Sequence, residues 1–138
     1  MEDWWFNSVN LCLSVVHDIS NSWRADMKKI EAILQPDKAE DVRIAMENAG
    51  YAGITILEAK GNGKQKGIYK QFRGEQYKIP LLPKVKVEIV VNDKDVDAAV
   101  KIIVDSAWTG KIGDGKIFIS TINSAVKIRT GEQGESII

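Results

Sequence analysis

The sequence predicts an α+β domain whose elements follow the order βαββαβ. Three patterns predict it: two apolar stripes of helical period, strand-like runs around them, and glycines gathered in the connections. Residues 28–34 read as the first strand. Pro36 and Asp37, with Glu40 three residues beyond Asp37, form a helix-opening signature. Val42, Ala45, Met46 and Ala49 then recur at helical spacing, and Gly50 supplies the stop. Residues 53–60 form a second strand rich in Ile and Thr. The run Lys84-Val85-Lys86-Val87-Glu88-Ile89 alternates with a period of two, so residues 84–91 are a third strand with one apolar face. Asp93 and Asp95 open a second helix with the stripe Val96, Ala99, Val100, Ile103 and Ala107. Residues 116–122 give a fourth strand and 125–129 a short fifth. The order is that of the ferredoxin-like split βαβ unit. Its helices cover one face of an antiparallel sheet. The other face is expected to carry Ile33, Ile54, Ile56 and Val90, too apolar to leave wet, which predicts association through it.

Composition narrows the function. The chain has 138 residues, 44% hydrophobic and 28% charged, which fits one folded domain and excludes disorder throughout. Cys12 and His17 are the only cysteine and histidine, so an intrachain disulfide is impossible. A Cys/His zinc site and a Ser-His-Asp triad are disfavoured on the same count. Lys plus Arg equals Asp plus Glu at 19 each, so net charge points to neither nucleic acid nor membrane. No apolar run approaches the roughly 18 residues of a membrane span.

Residues 1–26 differ from the rest. They hold Trp4, Trp5 and Trp23, three of the four tryptophans, and one basic residue, Arg24. Glu2 and Asp3 stand where a signal peptide needs positive charge, and the apolar stretch 11–16 is short. We read this segment as an N-terminal extension, a start-site remnant rather than a docking helix. The domain proper is expected at 27–138.

Glycine marks the chemistry. All 11 glycines lie at Gly50 or beyond, and seven fall in two loops. The first, about 61–83, exceeds what a hairpin needs and carries Lys64, Lys66, Lys70, Arg73 and Lys78 against Glu75. The second reads Thr109-Gly110-Lys111-Ile112-Gly113-Asp114-Gly115-Lys116. It fits the G-x-x-x-x-G-K core of a Walker A motif, yet Ile117 stands where magnesium needs Ser or Thr, and the loop enters a strand instead of a helix. A P-loop NTPase is therefore the wrong conclusion. Backbone N–H groups and lysines around glycines still make a cradle for phosphate. Lys127 and Arg129 add two cations on one face of the last strand. An anionic small ligand explains these basic segments better than nucleic acid, because the sheet lacks stacking aromatics at strand centres.

Several segments carry a resemblance: Met27 to Ile33, Gln65-Lys66-Gly67, Arg73-Gly74 with Tyr77, Leu82 to Lys86, the run 109–118, and Ile128-Arg129-Thr130-Gly131-Glu132. Over 27–138 the chain resembles the PII nitrogen-regulatory signal-transduction proteins. The resemblance implies a homotrimer of ferredoxin-like subunits with inward-facing sheets and a long T-loop, here about 63–81. It implies ATP or ADP in clefts between subunits, and 2-oxoglutarate as effector once ATP and magnesium are bound. Thr55, Gly63, Lys64, Gly113, Asp114, Gly115, Lys116, Lys127 and Arg129 match nucleotide contacts, with Lys127 and Arg129 reaching across the subunit boundary. Gln65 matches the magnesium ligand. Gln65, Gly67 and Lys84 match the 2-oxoglutarate site, and Tyr77 the tyrosine that some relatives nucleotidylate.

The implied protein is a cytoplasmic regulator, not an enzyme. Its targets would be an ammonium transporter, glutamine synthetase or its adenylyltransferase, a sensor kinase, or nitrogenase regulators. Direct nucleic-acid contact is not expected, and membrane contact only through a transporter. Lys64 and Lys127 stand where arginine is more usual, keeping charge but losing the bidentate fork. Phe72 replaces a frequent tyrosine and Pro80 an acidic residue. The rival reading is a nucleotide-hydrolysing ferredoxin-like enzyme using the 109–116 loop, disfavoured because no histidine or paired carboxylates accompany that loop. A third, a metal-tolerance trimer, lacks Cys/His ligands.

Overall fold

A computed structural model describes residues 27–63, 68–79 and 81–138. The readings placed on 1–26, Lys64, Gln65, Lys66, Gly67 and Pro80 lie outside the described residues.

Strand β1 (Met27–Leu34) leads through a single 3-10 turn at Pro36–Lys38 into helix α1 (Ala39–Asn48). The expected side-chain cap is absent; Glu40 instead pairs with Arg43, which also holds Glu47 one turn on. Gly50 ends the helix as expected, with its N–H on Glu47 and that of Tyr51 on Met46. Strand β2 (Thr55–Gly61) follows. The long connection beyond it folds as a hairpin arm, β3 (Ile68–Phe72) and β4 (Glu75–Ile79). Arg73 and Gly74, at φ 51° and 86°, make its two-residue turn. Strand β5 (Leu82–Asn92) returns along β2, and a second 3-10 turn at Asp93–Asp95 opens helix α2 (Val96–Ala107). Strand β6 (Lys116–Ile122) completes a sheet of order β2-β5-β1-β6, antiparallel at every pairing.

The pleat sorts the side chains. Ile30, Ala32 and Leu34 of β1 and Val85, Val87, Ile89 and Val91 of β5 point to the helices. There they meet Val42 and Met46 of α1 and Ala99, Ile103 and Ala107 of α2. Burying each Val, Ile, Leu or Met among them contributes about 1.5–3 kcal/mol. This interlayer contact is the core.

The opposite face differs from the expectation. Ile54 packs with the core and Ile56 stands in register with Val87, so both belong to the helix side. Ile33 and Val90 do lie on the open face. Its centre, however, is ionic: Lys29 contacts Glu31 at 3.0 Å and Glu88 at 3.3 Å, and Lys86 contacts Glu31 at 3.2 Å and Glu88 at 2.5 Å. Leu57 and Phe118, register partners of Lys86 and Glu31, flank these charges. The face is therefore mixed.

The expected fifth strand at 125–129 is also absent. Val126 makes one isolated bridge with Gln133, and a turn closes between Lys127 and Gly131. Strand alternation therefore does not place Lys127 and Arg129 on one face.

Candidate functional site

The loop between α2 and β6 is built by its own hydrogen bonds. Asp114 turns its carboxylate back toward the start of the loop. One oxygen accepts the Thr109 N–H at 2.9 Å and the Gly110 N–H at 3.0 Å. The other accepts the Thr109 hydroxyl and lies 3.5 Å from the Gln35 amide nitrogen. Thr109, above all through its hydroxyl, holds the Asp114 carboxyl below its ordinary pKa, with Gly110 and the nearby Lys84 charge adding to the effect.

Gly115 joins this loop to the sheet. Its φ is 107°, and a Cβ there would lie 1.7 Å from the Ile33 carbonyl oxygen. Only glycine fits that approach. The loop therefore sits directly on the end of β1.

Together these elements enclose a cleft of about 430 Å³. Gly61, Asn62 and Gly63 close it at the end of β2. Leu82 and Lys84 enter from β5, residues 111–116 from the glycine loop, and Ile33 and Phe118 from the sheet. Gly61 and Leu82 are register partners, so both roots of the hairpin arm line the cleft. The Lys84 ammonium donates to the Gly113 carbonyl at 3.0 Å, tying β5 to the glycine loop. Lys84, Lys111 and Lys116 give the cleft cationic walls, and the glycine backbone allows close approach of an anion.

The cleft thus unites Gly63, Lys84, Gly113, Asp114, Gly115 and Lys116 of the expected site residues. Thr55 is not among its lining. It opens β2 opposite Glu88, six residues from Gly61, or roughly 20 Å along the strand. Lys127 and Arg129 sit in the C-terminal turn, where Lys127 is 3.5 Å from Glu132. Tyr77 lies in β4, in register with Lys70. Sequence reasoning overlooks Thr109 and Gln35 as partners of Asp114. Thr109 carries a readable signal, a hydroxyl residue at the start of a tight loop; Gln35 carries none.

Among the described residues no group of three His, Cys, Asp or Glu could hold a metal ion. No helix among them is long and apolar enough to cross a membrane.

The domain is thus a ferredoxin-like sheet that carries a basic, glycine-lined cleft, with both roots of a hairpin arm in the cleft wall. The family model described as Nitrogen regulatory protein P-II matches residues 27–132. Nitrogen regulatory protein P-II 2 of Methanothermobacter thermautotrophicus is 55% identical over 112 residues, covering 81% of this chain and 97% of that protein. Nitrogen regulatory protein P-II of Rhodobacter capsulatus is 50% identical over 112 residues, covering 81% of this chain and all of its own length. The crystal structure of Arabidopsis thaliana PII bound to citrate superposes with a TM-score of 0.67 at 34% identity. It covers 81% of this chain and 92% of that one. The chain belongs to the nitrogen regulatory P-II family.

Proposed function

We propose that the chain is a homotrimeric sensor that binds ATP or ADP and, with ATP and magnesium, 2-oxoglutarate, and that reports nitrogen status through its arm. The observation that carries this reading is the cleft in which the glycine loop, Lys84 and both arm roots meet. Gly63, Gly113, Asp114 and Gly115 hold the nucleotide through their backbone and Lys116 through its charge, with Lys64, next to Gly63 in sequence, as a further cation. A carboxylate ligand takes Lys84 as its cation, with Gln65 and Gly67 completing its site.

Thr55, Lys127 and Arg129 lie away from that cleft, which supports a site completed by a second copy. The mixed open face suits burial against such copies, with the inward-facing arrangement of a trimer. Magnesium would rest on the phosphates and on Gln65. Bound there, it supplies oxygen coordination for a 2-oxo acid.

The exposed arm, with Arg73 5.5 Å above the Phe72 ring at its tip, is the surface offered to targets. These are an ammonium transporter, glutamine synthetase or its adenylyltransferase, a sensor kinase, or nitrogenase regulators. Tyr77 on the arm is the modification site where a nucleotidylating partner exists, and the whole system is cytoplasmic. The citrate named with the Arabidopsis structure is a carboxylate on a relative, which supports a carboxylate effector.

Calorimetric titration of 2-oxoglutarate with and without ATP-Mg tests the reading. Binding only in the presence of ATP-Mg is expected. Equal affinity in both conditions overturns the sensor mechanism, and substantial ATP turnover would favour the enzyme instead.

A further inference from the structure

We infer that the Asp114 side chain is a positioning residue, a built-in anion that fixes the glycine loop before any ligand arrives. The inference deepens the nucleotide reading above and rests on it for its binding consequences. An isolated loop of this kind offers its N–H groups to whatever anion comes. Here the N–H groups of Thr109 and Gly110 and the Thr109 hydroxyl are already taken by the chain's own carboxylate. The Thr109 oxygen in turn lies 3.3 Å from the Lys111 nitrogen as acceptor, so the same hydroxyl holds the next turn of backbone.

The loop is thereby pinned at two places. Asp114 is anchored backward to Thr109, and its neighbour Gly115 is pressed against the Ile33 carbonyl. Trp108 closes the other side, its ring so near that a Cβ on Gly110 would lie 3.1 Å from Cζ2. Gly113, between these anchors, accepts from Lys84. The first two N–H groups of the loop therefore serve shape, and the backbone around Gly113, Gly115 and Lys116 is left to face the cleft. Ordering entropy is lost on folding instead of on binding, which is what preorganisation contributes to affinity.

The test uses the full chain as wild type, Asp114→Ala, Asp114→Asn, Thr109→Val, Thr109→Ser and the double variant Thr109→Val/Asp114→Ala. Each is titrated with ATP in magnesium and in chelator, and its amide hydrogen exchange is measured without ligand. Asp114→Ala and Thr109→Val should each weaken ATP about tenfold or more, the scale of losing hydrogen bonds to a charged group. The double variant should be no worse than the weaker single, since both break one clasp. Thr109→Ser should restore binding, Asp114→Asn should fall between, and the losses should be equal with and without magnesium. Additive losses, or an Asp114→Ala loss that disappears in chelator, would show direct contact with ligand or metal and overturn the inference.

Exchange judges the clasp separately. The amides of Thr109 and Gly110 should exchange faster in Asp114→Ala and Asp114→Asn, while those of Ile30 and Val87 stay protected. Unchanged exchange at Thr109 and Gly110 overturns the clasp even if ATP binds. Faster exchange in a chain whose wild type binds no ATP leaves the clasp standing and overturns the nucleotide reading.

Discussion

Glu31 and Glu88 are direct register partners across β1 and β5, two carboxylates face to face at the centre of the sheet. Like charges so placed destabilise a sheet. Here Lys29 and Lys86 each touch both of them, so the four charges close into a neutral ring.

The ring predicts an acid-sensitive fold. The Lys86 hydrogen bond first, and then Lys29, hold the Glu88 carboxyl down at about 2. Its folded pKa lies below the unfolded value of about 4.3. Its stabilisation is therefore full above that unfolded value and is lost as pH falls toward about 2. Thermal melts of wild type and Glu88→Gln between neutral pH and pH ~2 should diverge most at neutral pH and converge in acid. Parallel curves would leave the ring without a role in acid stability.

Lys84→Ala should remove the main cation facing a bound carboxylate. The expected loss is about 1.5–3 kcal/mol, or roughly tenfold to a hundredfold in 2-oxoglutarate affinity. ATP alone should weaken by less than 2-oxoglutarate does, because Lys84 also holds Gly113 of the nucleotide loop. Calorimetry on both ligands checks this, and a selective loss of ATP would reassign Lys84 to the phosphates.

Gly115→Ala should be among the most damaging single changes in the chain. Positive φ alone costs an alanine about 1 kcal/mol, and the Ile33 carbonyl blocks the new methyl. A lowered urea midpoint is expected, with loss of ATP binding. A variant as stable as wild type would mean that the loop moves off β1 freely.

The assembly should be a trimer at micromolar concentration in analytical ultracentrifugation. Separating subunits would leave Leu57, Phe118 and the charged ring facing water. A stable monomer would remove the second copy through which the proposed site takes in Thr55, Lys127 and Arg129.

The central strands are legible because Val85, Val87 and Ile89 alternate with Lys84, Lys86 and Glu88 over a long run. The helices are legible because Val42 and Met46, then Ala99, Ile103 and Ala107, keep helical spacing. Which face β2 turns inward is not, since that depends on Ile56 meeting Val87. The arm hides its strands behind lysine-rich composition, although its turn residues Arg73 and Gly74 both take positive φ. At 125–129 the alternation is too brief to outweigh Gly131 and Gly134, and a turn results. The glycine loop is readable as an anion cradle. The inward use of Asp114 is not, because it depends on where the carboxylate turns.

Gly61 and Leu82 are register partners at the foot of the arm and also walls of the cleft. On the reading proposed above, the arm would act as a lever with its foot at the ligand. Its paired strands of five residues span about 17 Å. A tilt of roughly 10° about one end of that length displaces the other end, where Phe72 and Arg73 lie, by about 3 Å. If a ligand in the cleft sets that tilt, as the proposed function requires, a small shift at the foot changes the surface that a partner protein meets.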